Sequence, residues 1–568
     1  MKKLCIIASI FLSVLIFSSC SVSSNDAAKT SNESDSGNTG SNNDNYDTGD
    51  TSDTGNTGNS GNTGDSGDTG NTGDTADTGN TGNTGDSAVS DESGEVSDDG
   101  SDQSEQPDNI GELVENQFVE TAVEDTSTFS IDVDTASYSL VRNYIMSYNQ
   151  MPPADSVRIE ELVNYFDYEY PQPEEGTPFS VTMEMARSPW REDAQLVMFG
   201  LKGKEIDPES VPASNLVFLL DVSGSMADPN KLPLIKKSFK LLVEKLTEKD
   251  RISMVTYSDN ANVVLDSVPG NESEKIIGVI EGLNAGGSTA GADGLTKAYD
   301  LAEKNLNTDG NNRVILATDG DFNVGPSSDA EMEELIVAEK DKGIFLTVLG
   351  FGMGNFQDSK METLADKGNG NYFYIDTEKE AEKVFVFDLM GNMFTIAKDV
   401  KLQVVFNPQK ILKYRLIGYE NRVMPNTDFN DDTKDAGEIG SGHRVTAFYE
   451  VILADPETEN IFMTEDEVEF GADDYLLLRM RYKEPDEDIS KYMDTFMNQD
   501  SVKLEMSKNM GFASSVVEFG MLIRKSAFCE DSSYDNALER ANASLGADTY
   551  GLRKEFIEIV KAAKVLDK

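Results

Sequence analysis

Between about residues 213 and 394, short apolar runs alternate with longer stretches in which apolar residues recur every three or four positions. A bounded apolar run of four to eight residues reads as a buried strand, and recurrence near 3.6 residues reads as an amphipathic helix. The predicted strands are 216–221, 251–257, 263–266, 313–318, 344–350 and 372–375. Between them Leu234, Ile235, Phe239, Leu242, Val243 and Leu246 share a helical face, and 292–306 repeats the pattern. Alternating strands and helices predict a doubly wound α/β domain over 213–396, a parallel sheet covered on both faces.

The flanks are patterned differently. Segments 179–185 and 195–201 on one side, and 400–406, 412–419, 444–453 and 475–482 on the other, read as strands. They predict an α+β region at 111–212 and a small β-sandwich at 397–490. If strands from the two sides pair, the α/β domain is an insertion into that sandwich. A helical region is predicted over 491–568, with Phe512, Val516, Phe519 and Ile523 on one face and Tyr550, Phe556, Ile559 and Val560 in a later helix. Packing against the sandwich is its expected role, and an exposed partner groove is the alternative.

The first residues and the long polar stretch behind them form neither domain. Met1, Lys2 and Lys3 precede an apolar run at 4–17, a length suited to an export signal and short for a membrane span. Phe17-Ser18-Ser19-Cys20 resembles a lipobox, which implies a signal peptide at 1–19 and a diacylglycerol-modified Cys20. Simple secretion after an ordinary cleavage site is the alternative. Residues 20–110 are dominated by Ser, Thr, Asn, Asp and Gly and lack the apolar side chains that would offset ordering entropy, so a disordered acidic tether is expected. Glycine recurs every third residue over much of 55–85, but without proline and with a break at Ala76, which argues against collagen. The same segment lacks the apolar residue that a calcium-binding β-roll needs in each turn. A flexible chain of about 90 residues reaches on the order of 50 Å. No apolar run of 18 residues follows Cys20, so the expected membrane contact is the lipid alone. Ser21, where an Asp often retains lipoproteins at the inner membrane, favours the outer membrane or cell surface.

Charge narrows the partners. With 48 basic and 103 acidic residues the formal net charge is -55, which repels nucleic acid and anionic headgroups. The three cysteines, two of them in the export signal, allow no disulfide framework. Cys529 reads as a lone thiol without a catalytic role.

The candidate chemistry lies at the carboxyl ends of the predicted strands, where open α/β sheets hold their ligands. Asp221-Val222-Ser223-Gly224-Ser225 follows the first strand, Gly286-Gly287-Ser288-Thr289 precedes a helix, and Thr318-Asp319-Gly320-Asp321 closes the fourth strand. Hydroxyls and carboxylates are hard donors suited to Mg²⁺, Mn²⁺ or Ca²⁺, with Mg²⁺ expected first. Together the clusters resemble the metal ion-dependent adhesion site of von Willebrand factor A (VWA) domains, Asp-x-Ser-x-Ser with a distant Thr and Asp. The resemblance implies that Ser223, Ser225 and Thr289 coordinate the ion directly, and Asp221 and Asp319 directly or through water. A carboxylate offered by a protein partner then completes the shell. Asp321 either supports the site or is a solvated turn residue.

A closer resemblance covers most of the chain after the tether. Ser130-Ile131-Asp132-Val133-Asp134-Thr135-Ala136-Ser137-Tyr138, 157–166, 318–325, 440–447 and 512–522 resemble a family of bacterial VWA lipoproteins often labelled calcium-activated chloride channel homologues. A channel needs spanning segments, and none is predicted here. Asp132 and Asp134 read as a strand leading into a helix cap, with a second ion as the alternative, and His443, the one histidine, reads as structural. One histidine excludes most Ser-His-Asp arrangements, and neither a Gly-x-Ser-x-Gly elbow nor a P-loop occurs, so no enzyme is expected. The expected function is cation-dependent protein binding as an adhesin or scaffold. An assembly factor for an envelope complex and, more remotely, a metal-dependent hydrolase are the alternatives.

Overall fold

The computed structural model describes residues 113–568 except 132, 208–210, 290, 321–328, 353–357, 393, 435, 456–467 and 486. The export signal, Cys20, the tether, Asp132 and Asp321 lie outside the described residues.

The α/β domain is built on the strand Ser214–Asp221, whose eight residues are all buried. It lies between Arg251–Tyr257 and Asn311–Thr318, parallel to both, and the sheet continues through Ile344–Phe351 to Tyr372–Ile375. Side chains alternate across the sheet, so Leu216, Phe218 and Leu220 meet the helix Leu232–Val243 through Ile235, Phe239 and Leu242. Val217 and Leu219 face the other way, onto Leu295, Ala298 and Tyr299 of the helix Gly291–Lys304. Burial on both faces explains why 216–220 is an unbroken apolar run.

One strand departs from the parallel prediction. Ala261–Pro269 pairs antiparallel with Arg251–Tyr257 at the sheet edge. Only residues 258–260 separate the two strands, enough for a hairpin and far short of the crossover that a parallel neighbour requires. Its outer positions Val263 and Val264 remain exposed, as an edge permits.

The flanks do pair with each other. Ala194–Gly203 runs antiparallel to Arg444–Leu453 along nine residue pairs, and Thr126–Ser130 pairs with Thr395–Phe406. Each of the two sandwich sheets therefore mixes strands from before and after the α/β domain, which is inserted between them. Val197, Phe199 and Leu201 of one sheet pack against Leu402, Val404, Phe406, Leu476 and Leu478 of the other. The opposite face of the first sheet, through Leu196, Met198 and Phe448, is covered by helices. Among them Lys508–Arg524 is buried around most of its circumference, with Phe512, Val516, Phe519 and Ile523 all in the core. The alternative of an exposed groove on that helix is thus excluded by its burial.

The predicted helical region begins later than 491, because Ser490–Asn498 is an edge strand paired with Asp474–Lys483. Its period-two alternation, with Tyr492 and Phe496 exposed and Met497 buried, is the signal that a helical reading passes over. Tyr550 is likewise exposed and precedes the last helix, Leu552–Leu566, whose Phe556, Ile559 and Val560 are buried.

Entry to and exit from the α/β domain are held side by side by the turn at 440–443. Gly203 N donates to His443 O at 2.8 Å, Gly442 N to Lys204 O at 3.2 Å, and Ser441 N to Gly391 O at 3.0 Å. A side chain at position 203 would fall 2.7 Å from Gly440 O, so glycine is required there. The backbone of His443 does this work, while burial and the nearby Arg444 and Lys383 push its imidazole down to about 4, keeping it neutral near pH 7. A lattice of buried and half-buried arginines adds to the joint. Arg158 meets Asp358 at 2.9 Å, Glu362 at 3.0 Å and Glu161 at 3.4 Å. Arg142 binds Asp376 and Glu380, and Arg422 binds Asp366 and Glu362. Among the described residues no helix is long and apolar enough to cross a membrane.

Candidate metal centre

Asp221 ends the central strand and is fully buried. Its Oδ1 accepts from Ser223 N at 2.8 Å, a side-chain turn that reverses the chain immediately after the sheet. Ser223 then begins the short 3₁₀ turn Gly224–Ala227, anchored by the buried Met226, and this brings the Ser223 and Ser225 hydroxyls to 3.0 Å of each other.

The second loop is laced to the first through the backbone. Gly286 N donates to Val222 O at 2.8 Å, and Gly224 N to Gly287 O at 3.0 Å. Gly287 has φ +88, and a Cβ there would fall 2.7 Å from Asp259 Oδ2. Asp259 clasps the next residue, its Oδ1 accepting from Ser288 N at 2.8 Å and from Ser288 Oγ at 2.6 Å. Those bonds lower its pKa. Thr289 follows, half-buried, before the helix Gly291–Lys304.

The third loop leaves the neighbouring strand at Thr318. Gly320, at φ +92, donates its N–H to Thr318 Oγ1 at 3.2 Å, and Asp319 between them is fully buried. Burial raises the Asp221 pKa to about 6 against the Ser223 hydrogen bonds, and the Asp319 charge adds to the rise. The Oδ2 of Asp221 has no well-formed hydrogen bond within the protein, although the Tyr257 hydroxyl faces the carboxylate closely enough to lower its pKa. A buried carboxylate oxygen with no well-formed hydrogen bond, beside a second buried carboxylate and a pair of hydroxyls, is costly in isolation and suited to a hard cation. The residues present therefore fit a divalent ion.

Four of the five predicted ligands, Asp221, Ser223, Ser225 and Asp319, converge at the carboxyl edge of adjacent strands, and Thr289 sits on the loop laced to them. Asp134 does not join them. Its Oδ1 accepts from Tyr372 N at 2.7 Å and so extends the hydrogen bonding of the edge strand. Sequence reasoning passed over Asp259 and Lys231. The first follows a strand just as Asp221 does, a signal already in use. Lys231 lies at the start of a helix, and its Nζ stands 2.9 Å from Asp319 Oδ2. Cys529 is a free thiol, half-buried, with burial pushing it up to about 11.

This fold and these loops define a VWA domain protein. Residues 215–386 match the von Willebrand factor type A domain, 391–566 match the family described as "Uncharacterized protein YfbK, C-terminal", and 104–198 match one described as "von Willebrand factor". The chain is 36% identical over 466 residues to the uncharacterized protein YfbK of Escherichia coli (strain K12), covering 79% of this chain and 80% of that protein, and it belongs to the same family. Similarity to Calcium-activated chloride channel regulator 1 of Equus caballus, 29% identical, is confined to 140 residues, 21% of this chain and 15% of that protein. Among solved structures, von Willebrand factor type A from Catenulispora acidiphila is similar over 68% of this chain and 91% of its own, with 15% identity and a TM-score of 0.38.

Proposed function

We propose that the protein is a lipid-anchored binding protein of the cell envelope whose VWA domain uses a divalent cation, Mg²⁺ first, to capture a protein ligand. In this reading Asp221, Ser223, Ser225, Thr289 and Asp319 hold the ion and leave one position for a carboxylate of the partner. The supporting observation is the buried Asp221–Asp319 pair with the Ser223 and Ser225 hydroxyls at one sheet edge. When bound, the cation would supply a Lewis-acidic contact, because the five residues leave its coordination shell unfilled. The protein's own residues do the rest. Asp221 orients the Ser223 backbone, Asp259 fixes the loop that carries Thr289, and the laced glycines hold both loops against the sheet. In this reading the site serves to capture a ligand.

The test is capture from envelope extracts, from host surface material and from matrix material, with full-length protein in Mg²⁺ and in EDTA. Chelator-sensitive retrieval of a defined protein is expected. Host or matrix ligands indicate an adhesin and endogenous envelope proteins an assembly factor, whereas equal retrieval in EDTA counts against the reading. For the anchor, Cys20→Ser is expected to shift the protein from the membrane fraction to the soluble fraction of fractionated cells. Unchanged membrane association would remove the lipid from the proposal.

A further inference from the structure

The carboxylate pair is not left to itself in the protein. Lys231 comes from the start of the helix Leu232–Val243, and its Nζ lies 2.9 Å from Asp319 Oδ2 with only 7% of its side chain exposed. Its position is built. Lys231 N donates to Asp228 O at 3.0 Å, and its carbonyl accepts from Ile235 N at 2.9 Å. The aliphatic stem lies along Gly352, where a Cβ would fall 2.3 Å from Lys231 Cε and 2.9 Å from Cγ. Gly352 has φ +75, and its carbonyl is held by the Tyr374 hydroxyl at 2.6 Å. A glycine with a pinned carbonyl thus forms the floor of a slot that directs one ammonium at one carboxylate of the site.

We propose that Lys231 is a tethered counter-cation of this centre, which neutralises Asp319 in the metal-free protein and must yield that oxygen when a divalent ion binds. This rests on the metal reading above and adds what sets affinity and selectivity. Two carboxylates against one ammonium leave the pocket with one net negative charge, so its pull on a second cation is reduced, and an ion at Asp319 meets the repulsion of the amine at close range. Small ions of charge two can still displace it, whereas Na⁺ and K⁺, with the same charge as the amine, gain little by doing so. Lys231 is thereby a specificity-determining residue that keeps monovalent ions out and holds divalent affinity below what the oxygen donors alone would give.

The experiment is calorimetric titration of the full chain with MgCl₂ and MnCl₂, comparing wild type, Lys231→Met and Gly352→Ala. Methionine keeps the length and apolar stem of lysine without its charge, and alanine at 352 leaves the lysine charged but pushes its ammonium away from Asp319. Both variants are expected to bind at least about 10-fold more tightly than wild type, since each removes the repelling amine from the site. In EDTA, Lys231→Met is expected to melt at a lower temperature than wild type. A lysine that served only the fold would reproduce the lower melting temperature but not the tighter binding. Metal binding by Lys231→Met with none by wild type would support the proposal in its strongest form. Equal or weaker binding by both variants, with wild type binding normally, would overturn it and leave the metal reading intact. No binding by any of the three would overturn both.

Discussion

Asp221→Ala is expected to weaken Mg²⁺ and Mn²⁺ binding by at least about 100-fold and to abolish chelator-sensitive capture, with the far-UV circular dichroism unchanged. The size follows from charge, since the substitution removes one of two buried carboxylates facing a hard cation. The fold survives because the bonds of Asp221 are local, chiefly to Ser223, while its burial beside Asp319 is unfavourable without a metal. The direction of the pH dependence is a further check. Folding raises this carboxyl from its ordinary 3.8 to about 6, so the folded protein binds the proton more tightly than the unfolded chain. Chelated wild type should therefore lose stability from this group as pH rises from about 4 to about 6, by up to about 3 kcal/mol. Asp221→Asn should lack that component. Cation affinity should run the other way, falling as pH drops below about 6, because proton and metal compete for the same oxygens. Binding by Asp221→Ala within a few-fold of wild type would be fatal to the site as drawn.

Arg158→Met should be the most destabilising of the single substitutions considered. The guanidinium lies among Asp358, Glu362 and Glu161, all largely buried, and joins the segment before the VWA domain to its helix Asp358–Lys367. Removing the cation from such a cluster leaves uncompensated charge and costs about 3–5 kcal/mol, which lowers the melting temperature of a folded unit of this size by roughly 3–5 °C. Burial already raises Glu161 to about 8, opposed chiefly by Arg158, so loss of the arginine raises it further. The variant's acids will then take up protons, and its deficit should be smaller at pH 6 than at pH 8. Differential scanning calorimetry at the two pH values reads both effects. A shift below about 2 °C at pH 8 would show that the joint is held by the sheets alone.

Much of the site was legible because its residues obey a local rule. Asp221, Ser223, Ser225, Thr289 and Asp319 each follow a strand or precede a helix, and strand ends can be read from apolar runs without knowing which strand neighbours which. The same periodicities marked the α/β domain, the sandwich strands and the buried face of Lys508–Arg524. Where a signal was local but weak, as in Ser490–Asn498, alternation over nine residues lost to the helical pattern that follows it.

What the chain by itself determined was therefore the kind of element at each place, the face each element buries, and the oxygen donors available at the strand ends. Only the tertiary structure decided that Ala194–Gly203 pairs with Arg444–Leu453, making the VWA domain an insertion, and that Arg158 finds Asp358 two hundred residues away. It alone placed Lys231 on Asp319 and Asp259 on Ser288. The reason is that periodicity records how a residue faces its own helix or strand, whereas charge pairing and sheet partnership depend on chain closure across long separations, which no local pattern encodes.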